Sequence, residues 1–176
     1  NGKVDGSNGT DIDTQILAAH LGILTHPREV KRVLLVGVGA GITAGSLLAH
    51  PIERLDVVEI SPAVVEAAAI FKSDHHDAFN DPRCHVHLED ARTFLALSTE
   101  PYDLIVSVPS NPWVSGVSGL FSRDFFEMAK GKLAPVPLVL ESAALKEKRK
   151  IGIYTPAGYD ATKTYPLLVV FDGEAY

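Results

Sequence analysis

At 176 residues, 46% of them hydrophobic and 22% charged, the chain has room for one domain with a sizeable core, and its composition excludes neither class of ordinary globular protein, binder or enzyme. A single cysteine, Cys84, excludes an intrachain disulfide and a four-thiolate metal site. The formal net charge of −6 argues against a nucleic-acid surface, and no apolar run approaches the roughly 18 residues of a membrane span, so a cytoplasmic protein acting on a small molecule is expected, with neither nucleic acid nor membrane as partner.

Residues 1–13 (NGKVDGSNGTDID) are polar and rich in turn formers, an irregular lead-in. Helical spacing predicts a helix over residues 14–24 (TQILAAHLGIL) with Asp13 as its N-cap. A regular alternation follows. Residues 32–36 (RVLLV) read as a strand, 37–41 (GVGAG) as a glycine loop, 43–50 as a helix and 55–60 (LDVVEI) as a second strand. Ser61 and Pro62 suit the N-cap and first position of the next helix, through AVVEAAAIF. Residues 84–88 (CHVHL) form a third strand, 91–97 a helix, 102–108 a fourth strand and 121–133 (FSRDFFEMAKGKL) a helix. Apolar strands alternating with helices imply a doubly wound α/β domain with a mostly parallel sheet, spanning residues 14–134. In residues 135–176 further strands are predicted at 138–140, 150–154 and 167–171, with a turn at 156–160. No helix of useful length separates the last two strands, so an antiparallel edge hairpin is expected.

The glycines of the loop, Gly37, Gly39 and Gly41, follow a strand and open a helix, which lets a ligand approach backbone amides at a helix N-terminus. Gly39, Gly41 and Ala44 also satisfy GxGxxA. Glu59 ends the second strand about 20 residues on, where a carboxylate can hold the two ribose hydroxyls of a nucleoside. Glu89 and Asp90 end the third strand, where a carboxylate can accept from a base's exocyclic amine; the alternative for Asp90 is a plain helix cap. His75 and His76 are adjacent and point differently, and His85 and His87 lack an obvious third ligand, so no metal is expected. At the rim of the fourth strand, LIVSVPSNPWVSG opens into a shaped loop with no acid, base or obvious nucleophile.

These blocks taken together, NGKVDGS, DTQILAAH, RVLLVGVGAGITAG, DVVEISPAVVEAA, DPRCHVHLEDARTFL, YDLIVSVPSNPWVSG and LFSRDFFEMAKGKLAP, resemble in order the spermidine synthase (polyamine aminopropyltransferase) family over residues 1 to about 134. The resemblance implies a class I methyltransferase-like fold. It further implies aminopropyl transfer from decarboxylated S-adenosylmethionine to putrescine, with an adenosyl thioether as co-substrate and no tightly bound cofactor. By position, Gly37, Gly39 and Gly41 would line the nucleoside, Glu59 with Ile60 would hold the ribose side, and Asp90 with Ala91 would meet the adenine. Gln15, His20, Ser107, Asn111 and Trp113 would lie on the substrate side. The family's small β-rich N-terminal domain would be represented only by its last residues.

The departures from the family pattern concern its acids. Ala40 stands where a carboxylate helps hold the donor's amine, Val108 where a carboxylate deprotonates the attacking amine, and Asn111 where that acid has an acidic companion. An amine with a pKa near 10 is almost wholly protonated at neutral pH, so transfer without a base is expected to be weak or lost. Two alternatives stand beside that reading: a non-catalytic remnant or scaffold whose edge strands support a homo-oligomer, and a small-molecule methyltransferase using S-adenosylmethionine. NAD is a further, less favoured use of the glycine spacing.

Residues 137–176 resemble instead the first strands of an enterochelin-esterase-like α/β-hydrolase, whose catalytic residues would all lie beyond Tyr176. A chimeric seam near Ala134 and Pro135 is therefore expected, with the tail adding edge strands.

Overall fold

The computed structural model describes residues 6–109, 117–134 and 168–170. Helix α1 (Ile12–Leu24) leads into strand β1 (Arg32–Val36), helix α2 (Ile42–Leu48), strand β2 (Arg54–Glu59) and helix α3 (Pro62–Ala68). Short 3₁₀ turns at Ala69–Phe71 and Ala78–Asn80 precede strand β3 (Cys84–Leu88), helix α4 (Ala91–Leu97) and strand β4 (Leu104–Ser107). A 3₁₀ turn at Ser118–Phe121, helix α5 (Arg123–Gly131) and strand β5 (Leu168–Val170) complete the described elements. All four strand pairings are parallel, in the order β3-β2-β1-β4-β5. The doubly wound α/β class expected from the alternation is the one observed.

The period-2 alternation of the strands explains why helices cover both faces. Val33, Leu35, Leu55, Val57, Leu104 and Val106 point to one side and pack with Ala18 and Ala19 of α1, Ala44 and Leu47 of α2 and Ala68 of α3. Leu34, Val36, Val58 and Ile105 point to the other, against Ala91 and Leu95 of α4 and Phe125 and Ala129 of α5. The small residues of α1 let it approach closely: a β-carbon on Gly22 would lie 3.0 Å from the Leu104 side chain.

Three expectations are corrected. Asp13 is not the N-cap of α1 but lies in its first turn, where an acid suits the helix dipole. The helix starts earlier because the Asp11 carboxylate is bound by the Ser7 hydroxyl and by Gln15 Nε2, which anchors the lead-in to the first turn. Strand β4 is shorter than residues 102–108, since Tyr102 leaves the ladder for an isolated bridge with Leu133, donating from its amide to Lys132 O at 2.8 Å. Helix α5 does not begin at Phe121. Ser122 adopts an extended ψ of 151° and its hydroxyl caps the Phe125 amide at 3.2 Å, which separates the 3₁₀ turn from the helix.

The tail contributes one described strand. Leu168–Val170 pairs parallel to β4, in register Ile105 with Leu168 and Ser107 with Val170; the antiparallel partner expected for it, residues 150–154, lies outside the described residues. The chain between Ala134 and Leu168 is far longer than the dozen or so residues a parallel crossover needs, so a return to the start of the sheet is sterically open. The strands expected at 138–140 and 150–154 and the turn at 156–160 lie outside the described residues.

Candidate functional site

The rim formed by the C-terminal ends of β1, β2 and β4 carries the predicted loop. Gly37, Gly39 and Gly41 have φ of 95°, 53° and 82°, all in the left-handed region that side chains resist. At Gly41 the space is closed as well: a β-carbon would come within 2.9 Å of both the His75 and Phe79 rings. His75 is itself a buried structural residue, its Nδ1 accepting from the Ala78 amide at 3.1 Å. The loop is pinned to the sheet by Gly37 N donating to Val58 O at 2.9 Å and closed by Gly41 N donating to Val38 O at 2.9 Å.

Glu59, at the end of β2, ties this loop to the next. One carboxylate oxygen accepts from the Val38 amide at 3.0 Å and the other from the Ser61 amide at 2.9 Å. Its carboxylate is thus fixed between the glycine loop and the β2–α3 turn, and each oxygen keeps a further lone pair for a ligand hydroxyl. Ile60, beside it, is 71% exposed and presents an apolar surface at the same rim. Asp90 is the N-cap of α4, with Oδ1 accepting from the Thr93 amide at 2.9 Å; Oδ2 has no partner among the described residues. Ala91 is buried in the core layer under α4.

The substrate-side residues divide. Gln15 Nε2 donates to Ser7 O and to the Asp11 carboxylate, both at 2.9 Å, and its carbonyl accepts from the Thr43 hydroxyl just past the glycine loop at 3.2 Å. The lead-in that Gln15 holds passes directly over the loop: a β-carbon on Gly6 would lie 2.7 Å from the Ala40 amide nitrogen, so only glycine fits there. His20 sits elsewhere, its Nδ1 2.7 Å from His50 Nε2, and His50 follows the end of α2 opposite the glycine loop. Ser107 is 1% exposed, and its hydroxyl has no partner among the described residues. Val108 donates its amide to Val36 O at 3.0 Å and packs its half-buried side chain against the core under α1 and α2. Asn111 and Trp113 lie outside the described residues.

Sequence reasoning missed a polar cluster away from the rim. Asp56, in β2, is 1% exposed and accepts a two-point contact from Arg54 at 2.9 and 2.8 Å, His87 Nε2 at 2.8 Å and the Tyr102 hydroxyl at 3.2 Å, with Arg32 at 3.6 Å. Burial alone would push this carboxyl up, but the Arg54 fork and the His87 bond outweigh it and hold the group below the usual carboxylate range. Burial, with Asp56 nearby, pushes the Tyr102 phenol up. The signal was an acid inside an apolar strand with an arginine two residues before it on the same face. His87 also packs at a tilt against Phe94, with ring centroids 4.6 Å apart, and, with Leu88, Glu89, Leu97 and Ser98, lines an open hollow of about 350 Å³. Burial pushes the Cys84 thiol up to about 12, which leaves it protonated and unreactive. Among the described residues no three His, Cys, Asp or Glu side chains are grouped to hold a metal ion, and no helix is long and apolar enough to cross a membrane.

Comparison with known proteins places these features in a family. Residues 13–146 match the family model described as the spermine/spermidine synthase domain. The chain is 29% identical over 139 residues to spermidine synthase from Dictyostelium discoideum, covering 78% of this chain and 48% of that protein. It is 34% identical over 139 residues to putrescine N-methyltransferase 2 from Nicotiana tabacum, covering 78% of this chain and 38% of that protein. A crystal structure of spermidine synthase in complex with the transition-state analogue AdoDATO superposes with a TM-score of 0.65 at 24% identity, over 70% of this chain and 42% of that one. The chain therefore spans less than half the length of these relatives. With its parallel sheet, its left-handed glycine loop and the family match over most of its length, the chain belongs to the spermine/spermidine synthase domain family.

Proposed function

We propose that the domain binds an adenosyl sulfonium or thioether, either decarboxylated S-adenosylmethionine, methylthioadenosine or S-adenosylmethionine, at the glycine loop, and that its aminopropyl transfer is weak or lost. The observation that carries the binding is Glu59, whose two oxygens are fixed by the Val38 and Ser61 amides beside three left-handed glycines. Held this way, the carboxylate meets a ribose diol without having to order itself first. Ile60 offers an apolar face, and Asp90 Oδ2 an acceptor for an exocyclic amine.

The loss of transfer follows from what occupies the family's acidic positions. Val108 cannot take a proton from the attacking amine, and a missing general base lowers rate by roughly 10²–10⁴-fold. Ala40 is fully buried under Gly6, so no charge at that position faces a donor's amine. This second departure also favours methyl transfer from S-adenosylmethionine as an alternative activity, since the donor's carboxylate would meet no like charge from position 40. The relation to a putrescine N-methyltransferase is consistent with it. On the same reading, Leu168–Val170 adds sheet edge and no chemistry.

Calorimetric titration of the full chain with methylthioadenosine, S-adenosylmethionine and NAD tests the proposal. Saturable heat is expected from methylthioadenosine and S-adenosylmethionine and none from NAD. Silence from all three would replace this reading with that of a non-catalytic scaffold, and heat from NAD alone would replace it with a dinucleotide site.

A further inference from the structure

The contact between His20 and His50 belongs neither to the nucleoside rim nor to the core. Their facing nitrogens are 2.7 Å apart and the rings meet edge-on with centroids 4.9 Å apart. A hydrogen bond between two imidazoles needs one nitrogen carrying hydrogen and one bare lone pair. The neutral pair and the singly protonated pair both satisfy this. The doubly protonated pair brings two N–H groups and two positive charges together at hydrogen-bond distance, and the contact must open.

We propose that His20 and His50 form a proton-sensitive latch fastening α1 to the far end of α2, and that the second proton releases α1 together with the lead-in seated on the glycine loop. The path is continuous. His20 is on α1, whose Gln15 holds Ser7 and Asp11 and accepts from Thr43, and the same lead-in lays Gly6 on the Ala40 amide. Burial, and after it the neighbouring His20, lower the affinity of His50 for a proton, which suits it to be the bare partner.

Among the described residues, no acid is hydrogen-bonded to either imidazole of the latch. Arg83 donates to His50 O at 3.1 Å with its charge paired to the Asp81 carboxylate at 2.8 Å, so neither brings a free acid to the two rings. Glu53, on the loop after His50, is bound to Lys31. On α1 the acids Asp11 and Asp13 lie about two turns before His20, and Asp11 is already bonded to Ser7 and Gln15. A histidine with a lowered folded value contributes stability that is present above the ordinary imidazole range near 6.5 and is lost as pH falls through the folded value. Release therefore belongs below the ordinary imidazole range.

Amide hydrogen exchange of the full chain at pH 7.5 and pH 5, corrected for intrinsic rates, tests the latch. Amides of α1 are expected to exchange about 10-fold faster at the lower pH relative to those of α5, and His50→Gln, which cannot take the second charge, is expected to abolish the difference. An equal change in α1 and α5 in the unsubstituted chain overturns the proposal. Should His50→Gln fail to fold, ¹⁵N titration of the unsubstituted chain decides: coupled steps for His20 and His50, the later one below the other histidines, support the latch, and two independent ordinary titrations overturn it. The consequence for ligand rests on the proposed adenosyl site and reads separately. With the latch real and the site real, methylthioadenosine affinity falls toward pH 5. With the latch real and no nucleoside bound at either pH, only the functional reading fails.

Discussion

Asp56→Ala is expected to cost the fold about 3 kcal/mol, lowering the unfolding midpoint by roughly 6–12 °C for a domain of this size. Removing one partner of a buried ion cluster commonly costs about 3–5 kcal/mol because the opposite charge is left buried and unpaired. Here the orphaned groups are partly wet, with Arg54 41%, Arg32 23% and His87 31% exposed, so water takes up some of the lost bonds and the lower end applies. Asp56→Asn keeps the shape and some of the hydrogen bonding but not the charge, and should fall between. The acid dependence gives an independent reading. A carboxyl held below its ordinary value contributes stability above the usual carboxylate range, lost as pH falls through its folded value. Thermal unfolding between pH 7 and pH 3 should therefore show a shallower acid loss in Asp56→Ala than in the unsubstituted chain. Parallel curves would mean that the cluster does not carry the charge assigned to it.

Val108→Asp is expected to raise putrescine turnover with decarboxylated S-adenosylmethionine by roughly 10²–10⁴-fold over the unsubstituted chain, the factor a positioned general base supplies. The gain has a structural cost, since Val108 packs half-buried on the core under α1 and α2 and an acid must turn toward the rim to stay hydrated. A loss of about 1–2 kcal/mol in stability should accompany it. Turnover is measured on protein shown by calorimetry to bind methylthioadenosine. A folded, nucleoside-binding Val108→Asp protein with unchanged turnover would show that the missing base is not the limiting defect.

What could be read from the sequence was whatever short-range chemistry determines. β1, β3 and α4 were found at their observed bounds because apolar runs are bracketed there by glycine, proline and a capping acid. Glu59 could be placed because its spacing from the glycine loop is imposed by one β-α-β unit. Asp11 escaped notice as the start of α1 since its bonds run to Ser7 and Gln15 rather than to a free helix amide. The direction of β5 depends on which edge accepts it, and nothing local in Leu168–Val170 encodes that. The Asp56 cluster draws Arg32, Arg54, His87 and Tyr102 from different parts of the chain, so it appears only once the strands are aligned. His20 looked like a substrate-side group by its position in the family pattern, and the register of α1 on α2 turns it to His50 instead.

The most direct check on the adenosyl site is a backbone-amide NMR titration with methylthioadenosine, run on the unsubstituted chain and on Glu59→Gln. A hydrogen bond to a charged group contributes about 1.5–3 kcal/mol, so Glu59→Gln should weaken binding at least about 10-fold, with the shifts centred on Val38, Gly39, Gly41 and Ser61. Equal affinities in the two proteins, or shifts confined to the hollow around His87 and Ser98, would contradict the account.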